Sequence, residues 1–213
     1  ISHERIERLL EDISDPTDIV ATQYSQDGHD FLGLYSSSGN FSLWYDAQTK
    51  FWHERATYDD ASNNPWQPWM TINAYGKSYA GARDTPDVFQ LSMGTYADNG
   101  TEIIRESVSP IMSFGPNRFT TNSLTIDFVS GVGLVTGQGS DPQVMVSFSD
   151  DGGRTWSNEM MGDIGEMGAY KTRVNFDQLG QTNNGRIYKI STSDPVFSSL
   201  SHIGWADIEI DDS

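Results

Sequence analysis

The chain has 213 residues, and its 13 Lys+Arg set against 30 Asp+Glu give a formal net charge of −17 at pH 7. A field of that sign repels nucleic-acid phosphates and anionic lipid alike, which argues against any function that works by neutralising them. The absence of cysteine rules out disulfide scaffolds, Cys-based zinc sites and thiol catalysis, and no apolar run approaches the ~20 residues of a membrane helix.

No basic segment followed by an apolar stretch marks a signal peptide, so the chain reads as acidic, soluble and globular. It is long enough for one large domain or two small ones. It begins at Ile1 rather than Met, which leads us to expect residues upstream.

One segment has helical periodicity. Between Ser2 and Ile13, apolar Ile6, Leu9, Leu10 and Ile13 fall at i, i+3, i+4 and i+7. Ser2 is placed to cap the helix, Glu4 adds negative charge to its first turn, and Pro16 stops it. The rest reads as short strands separated by Gly, Asn, Asp and Pro turn signals. The strands are expected at Ile19–Tyr24, Phe31–Tyr35, Asn40–Tyr45, Phe51–Arg55, Asp87–Leu91, Ser123–Phe128, Val144–Phe148 and Arg186–Ile190. Asp59–Trp66 and Ser130–Pro142 read as long loops, and the acidic stretch Asp207–Asp212 as an exposed end.

Turns are expected at Asp46–Thr49, Asp98–Gly100 and Asp151–Gly153, with leading Asp residues 52 and then 53 positions apart. Repeats of about 40 to 50 residues with several short strands each are what propeller blades produce. The pattern gives three blade-like units and part of a fourth from Tyr170 to Ile210. A closed propeller needs about four to eight blades. Either the C-terminal part has another architecture, such as a β-sandwich, or further blades lie outside the chain. The expected fold is thus all-β: propeller-type blades after one short helix over residues 1–108, then a β-rich region over 109–213 that is a sandwich or a continuation of the propeller.

Ser149-Asp150-Asp151-Gly152-Gly153-Arg154-Thr155-Trp156 fits S-x-D-x-G-x-T-W, the Asp box of sialidase-type propellers. Turn chemistry explains Ser149, Asp151, Gly153, Thr155 and Trp156 without catalysis. The Asp accepts backbone N–H groups across its own turn, Gly takes a positive φ, and Trp covers the hairpin. The Tyr45-Asp46 to Trp52 segment resembles the outer hairpin of a kelch-type blade. Its functional alternative is an aromatic sugar platform with Trp44, Trp66 and Trp69; packing between blades is the plainer reading.

The pairs Asp59-Asp60, Asp150-Asp151 and Asp211-Asp212 suggest two-carboxylate glycoside chemistry only superficially, because neighbouring strand residues point to opposite faces. The four histidines show no metal-ligand spacing, and the glycines of residues 131–139 are followed by neither Lys-Ser/Thr nor a helical pattern. No catalytic constellation emerges, and we expect neither enzyme activity, nor a cofactor, nor a metal.

Seven segments resemble, in order, packaged-DNA stabilisation proteins of short-tailed phages, the tail-hub or head-completion family. They are Ile1–Leu10 (ISHERIERLL), Thr22–Phe31, Trp44–Glu54, Thr95–Gly100, Gly131–Pro142 (GVGLVTGQGSDP), Val146–Asn158 (VSFSDDGGRTWSN) and Gly165–Arg173. The resemblance implies the C-terminal part of a structural virion protein that is made in the bacterial cytoplasm and joins the tail after packaging. It further implies a homohexameric ring below the portal and its adaptor, with the tail needle and tailspikes as partners, and no specific nucleic-acid or membrane binding. The family brings no catalytic residues. The alternative is a sialidase-like or glycan-binding β-propeller.

Overall fold

A computed structural model describes residues 4–59, 62–183 and 185–211. They are almost entirely β-structure after one short helix, and the chain divides into two compact units, Ile1–Thr101 and Glu102–Ser213.

In the first unit, helix α1 (Glu4–Glu11) lies within the span its periodicity predicts; Ser2 lies outside the described residues. The apolar stripe does the work: Ile6 and Ile13 are buried against Phe41 and Leu43, with Leu9 and Leu10 at the margin. Pro16 then opens a single 3-10 turn, capped by the Asp15 carboxylate, which accepts the Thr17 amide at 3.0 Å.

Four strands follow in sequence order as an antiparallel meander, the form of a propeller-like blade: β1 (Val20–Gln26), β2 (His29–Ser36), β3 (Phe41–Asp46) and β4 (Trp52–Glu54). A hairpin of β5 (Ala56–Asp59) and β6 (Ser62–Pro65) comes next. Asp59–Trp66 is therefore mostly paired strand and not the expected loop; Asp60 and Ala61 lie outside the described residues.

A second meander comprises β7 (Pro68–Ala74), β8 (Lys77–Ala82) and β9 (Val88–Leu91). It is tied to β1 by polar bridges: the Thr71 amide donates to Thr22 Oγ1 at 2.9 Å, and Asn73 Nδ2 donates to the Ser25 carbonyl at 2.9 Å. The turn at Asp98–Gly100 joins the short strands β10 (Ala97–Asp98) and β11 (Thr101–Glu102), with Asn99 and Gly100 both at positive φ as a tight hairpin requires.

The second unit holds β12 (Arg105–Val108), β13 (Phe119–Phe128), β14 (Gln143–Ser149), β15 (Met160–Asp163), β16 (Val174–Thr182), β17 (Ile187–Thr192) and β18 (Leu200–Ile210). They form two antiparallel sheets, ordered β12-β17-β14-β15 and β16-β13-β18. The Tyr170–Ile210 segment thus sends β17 to one sheet and β16 and β18 to the other, and does not build the expected fourth blade. Of the two architectures open for this region, the strand order is that of a sandwich. Asp207–Asp211 is not a loose end but belongs to the last strand and its continuation, where the Asp211 amide donates to the Arg118 carbonyl.

Alternation along the strands fills the core with Leu124, Ile126, Val144, Val146, Ile164, Val174, Phe176, Leu179, Tyr188 and Ile190. Tyr188 carries a hydroxyl into that core and donates it across the sandwich to Thr121 Oγ1 at 3.0 Å, so no polar end is stranded. Gly162 on β15 lets Val174 and Phe176 approach the backbone, since a methyl there would sit 2.3 Å from Val174 Cγ1. Gly162→Ala is therefore expected to cost about 1–3 kcal/mol by overpacking, read as a lower urea midpoint of the cooperative transition.

Candidate functional site

The Asp box forms the tip between β14 and β15. Asp151 Oδ1 accepts the amides of Arg154 and Thr155, each at 2.9 Å, and Oδ2 accepts the Thr155 hydroxyl at 2.7 Å. Ser149 donates its hydroxyl to Asp151 Oδ1 at 2.8 Å and accepts the Gly153 amide at 2.8 Å. Donors converging on the carboxylate, the Thr155 amide foremost, hold Asp151 well below the usual carboxylate range. Gly152 and Gly153 both have positive φ. Half-buried Trp156 has its rim at Gly153, and Lys189 Nζ lies 4.9 Å above its ring. Each residue singled out from the sequence thus takes part in the turn.

Asp150 turns the other way. Its two oxygens accept Nε and Nη2 of Arg186 at 2.7 and 2.8 Å, while Nη1 donates to the carbonyls of Leu179 at 2.7 Å and Gly180 at 3.2 Å. The Arg186 side chain is 1% exposed and its guanidinium stacks 4.1 Å from the Phe148 ring centre. Burial works against the charge, but the paired carboxylate outweighs it and pushes the Arg186 pKa up. Two left-handed residues on β16, Gln178 and Gly180, flank Leu179 and accompany the bend that presents the two carbonyls. The sequence raises Asp150 only as half of an adjacent acidic pair and Arg186 only as the start of a strand. A signal existed: Arg186, Tyr188 and Ile190 alternate on one face of a predicted strand, and two of the three are core residues.

In the first unit, Tyr45 and Trp52 lie directly opposite across β3 and β4, with ring centres 5.2 Å apart. Asp46 closes the turn below them, accepting the Gln48 amide and the Thr49 hydroxyl, each at 2.9 Å, with His29 Nδ1 at 2.8 Å. Burial alone would raise the Asp46 carboxyl, but these partners prevail and hold it at about 2.

The proposed sugar platform is not assembled. Trp44 is 1% exposed, stands edge-on to Trp66, and packs under Arg55; Trp69 meets Tyr35 instead. Arg55 lies 4.4–5.4 Å from the ring centres of Tyr24, Phe31, Trp44 and Trp66. It donates Nη1 to the Tyr24 hydroxyl at 2.6 Å and Nε to His53 Nε2 at 3.0 Å. His53 must therefore be neutral with its proton on Nδ1, and burial together with the adjacent guanidinium lowers it to about 4.

The Asp151 carboxylate is engaged by its own turn and Asp46 by its own turn and His29, and the buried cations are matched by a carboxylate in one unit and by aromatic faces in the other. This is the chemistry of a scaffold. Among the described residues no group of three or more His, Asp or Glu is placed to hold a metal ion, and no helix is long and apolar enough to cross a membrane.

The second unit is thus an antiparallel β-sandwich whose tip is closed by an Asp box. Residues 104–206 match the family described as the β-sandwich of bacteriophage P22 Gp10, and this match supports the resemblance to the C-terminal part of a short-tailed phage tail-hub protein. The family is one of phage structural proteins.

No curated protein sequence matches the chain. Among solved structures, the exo-β-1,3-galactanase of Phanerochaete chrysosporium with galactose superposes on 92% of this chain and 57% of its own at 12% identity and a TM-score of 0.26. A variant of that enzyme with β-1,3-galactotriose gives 92%, 57%, 11% and 0.25. The chain spans 57% of the galactanase's length, and so loose a superposition carries no argument.

Two outcomes test the site. Asp150→Ala leaves a buried guanidinium without its carboxylate and is expected to cost about 2–4 kcal/mol, discounted from the fully buried range because Asp150 is 38% exposed. Adding Arg186→Met is expected to recover part of that loss, and a urea double-mutant cycle showing strict additivity would contradict the coupling.

The second concerns pH. His53 stays neutral in the folded chain down to about 4, whereas an unfolded histidine takes its proton near 6.5. Stability is therefore full above pH 6.5 and declines as pH falls toward 4. His53→Gln is expected to flatten the slope of melting temperature against pH across that interval.

Proposed function

We propose that the chain is the C-terminal part of a tail hub that docks as a homohexameric ring below the portal and its adaptor after packaging. There it retains the genome by completing the conduit and attaches the tail needle and the tailspikes. The observation that supports this most directly is the family sandwich at residues 104–206, folded around an apolar core.

Charge supports the mode of retention. Six copies of a chain at −17 form an acidic assembly, and such a wall repels DNA instead of gripping it, so the genome is held by closure and released without adhesion. The role assigned to Ser149, Asp151, Gly153, Thr155 and Trp156, and to Tyr45, Asp46 and Trp52, is structural: they close turns that position strands. No catalytic residue, cofactor or metal is assigned, and localisation to the virion tail follows from the same reading.

Genome retention tests it. DNA-filled heads that carry portal and adaptor but lack the hub are incubated with the full-length protein containing this chain, and the DNA remaining inside is quantified. Retention is expected to rise with added protein and saturate near ring stoichiometry. Unchanged retention with folded protein would overturn the proposal.

A further inference from the structure

Two hairpins of the first unit end side by side. The Thr22–Thr71 and Ser25–Asn73 bridges hold β1 alongside β7, so the hairpin tips Asp27-Gly28 and Tyr75-Gly76 lie at one end. The segment that follows β9 closes a third side. Together they enclose a cleft of about 610 Å³, a volume inside the range of about 300–1,000 Å³ that small-molecule sites occupy.

The cleft is fixed before anything enters it. Asn73 Nδ2 and the Ser78 hydroxyl both donate to the Ser25 carbonyl, at 2.9 and 3.2 Å. Gln26 Nε2 donates to the Leu91 carbonyl at 3.4 Å, and Lys77 Nζ to Gln90 Oε1 at 3.0 Å. These bonds leave capacity unused. Asn73 Oδ1, Gln26 Oε1 and the Asp27 carboxylate accept no bond from a described residue, and Lys77 keeps N–H donors to spare.

Tyr75 sets the chemistry. Its φ is +53°, a left-handed conformation that strains a bulky side chain and that Gly, Asn or Asp takes at less cost. It is also 98% exposed, so neither the turn nor the core gains from an aromatic there. Strain kept at a position with no internal return points to something outside the chain.

The lining narrows what that something is. An aromatic face beside a side-chain amide, a carboxylate and an ammonium suits a ligand with C–H faces and many hydroxyls. An apolar ligand would leave the mostly polar lining unpaired, and a peptide would seek a strand edge or apolar pockets. Asp27 and Lys77 cancel, so the cleft holds no net charge to attract an anion.

We infer that this cleft binds a short neutral oligosaccharide, with one pyranose ring stacked on Tyr75 and hydroxyls bonded to Asn73, Asp27 and Lys77. The site is separate from the inward-packed tryptophans, whose faces are turned to Arg55. It goes beyond the hub reading, which gives the first unit no ligand.

The full-length protein containing this chain is titrated with maltose, cellobiose, lactose and diacetylchitobiose, and with glucuronate as the anionic comparison, by calorimetry and saturation-transfer NMR. At least one disaccharide is expected to bind with a dissociation constant on the order of 1 mM. That affinity should change little between about 50 and about 500 mM sodium chloride. Tyr75→Asn is expected to weaken it at least about fivefold, whereas Tyr75→Phe retains most of it. The same Tyr75→Asn change is expected to raise the melting temperature, because Asn-Gly suits the tight turn better. Phe51→Ser, which removes an exposed aromatic beside another turn, should leave sugar binding unchanged.

No binding of any disaccharide, an equal loss in Phe51→Ser, or tighter binding of glucuronate overturns the inference, and genome retention is read independently of each. A lower melting temperature in Tyr75→Asn assigns the ring an internal role and overturns it too. If no sugar binds but Tyr75→Asn loses affinity for the purified tail needle or tailspike, the cleft is a protein contact. The sugar inference then falls and the hub reading stands.

Discussion

A guanidinium removed from water must have its donors met, and this requirement organises one end of the sandwich. Arg186 has five N–H groups, and four bonds to Asp150, Leu179 and Gly180 are formed in a place where only 1% of the side chain is exposed. The three acceptors come from the end of β14 and from β16, strands of opposite sheets, while the cation stands at the start of β17. No pair of those strands can shift without stranding a buried charge. The Asp box acquires a purpose from this constraint. Asp151 fixes the turn, and the fixed turn aims the neighbouring carboxylate of Asp150 at Arg186. The motif residue and its neighbour divide the work between conformation and charge.

The first unit solves the same problem with different chemistry. Four aromatic faces within 5.4 Å of Arg55 supply negative potential, Asp46 adds a longer-range attraction, and Tyr24 and a neutral His53 accept its N–H groups. The cost of that arrangement appears on His53, which is held neutral far below its ordinary value. In a chain rich in acids, a carboxylate was the easier partner to recruit. Aromatic faces let the same residues serve as core, so Trp44 and Trp66 fill volume and hold the cation at once. That dual use is why the aromatic cluster is packed inward and offers no platform to a sugar.

Legibility from sequence followed the range of the interaction. The helix was readable because its stripe is local, and the eight expected strands each find a counterpart because β-branched and aromatic residues alternate within them. Strands such as β16, with the sequence VNFDQLGQT, hide because polar residues and glycine occupy their solvent face and a bulge breaks the alternation. Asp59–Trp66 looked like a loop because Asn-Asn-Pro is turn chemistry, yet cross-strand pairing overrode it. The regular spacing of Asp-led turns suggested blades throughout, but an Asp-Gly turn reports a hairpin tip and nothing about which strand lies beside it. Pairings such as β13 with β16 and β18 join residues 48 and more positions apart, where local pattern is silent. The turn residues were found because turn chemistry is local; Arg186 was overlooked because a charged residue on a core face has meaning only once its partner from another strand is known.

The sandwich has two unlike ends, and the difference follows from how each is held. The Asp-box end is locked by ionic and turn hydrogen bonds, so its polar atoms are spent internally even though Asp151 and Arg154 lie at the surface. The loop end is locked by backbone bonds and by interlocking of Gly131 with Tyr170 and Gly139 with Val196, which consumes no large side chain's outer face. Val135 and Met167 are consequently left over, exposed on a backbone already ordered. A net charge of −17 supplies no adhesion to DNA or to anything else acidic. The two ends of one sandwich thus differ because hydrogen bonds of side chains hold one and hydrogen bonds of the backbone hold the other.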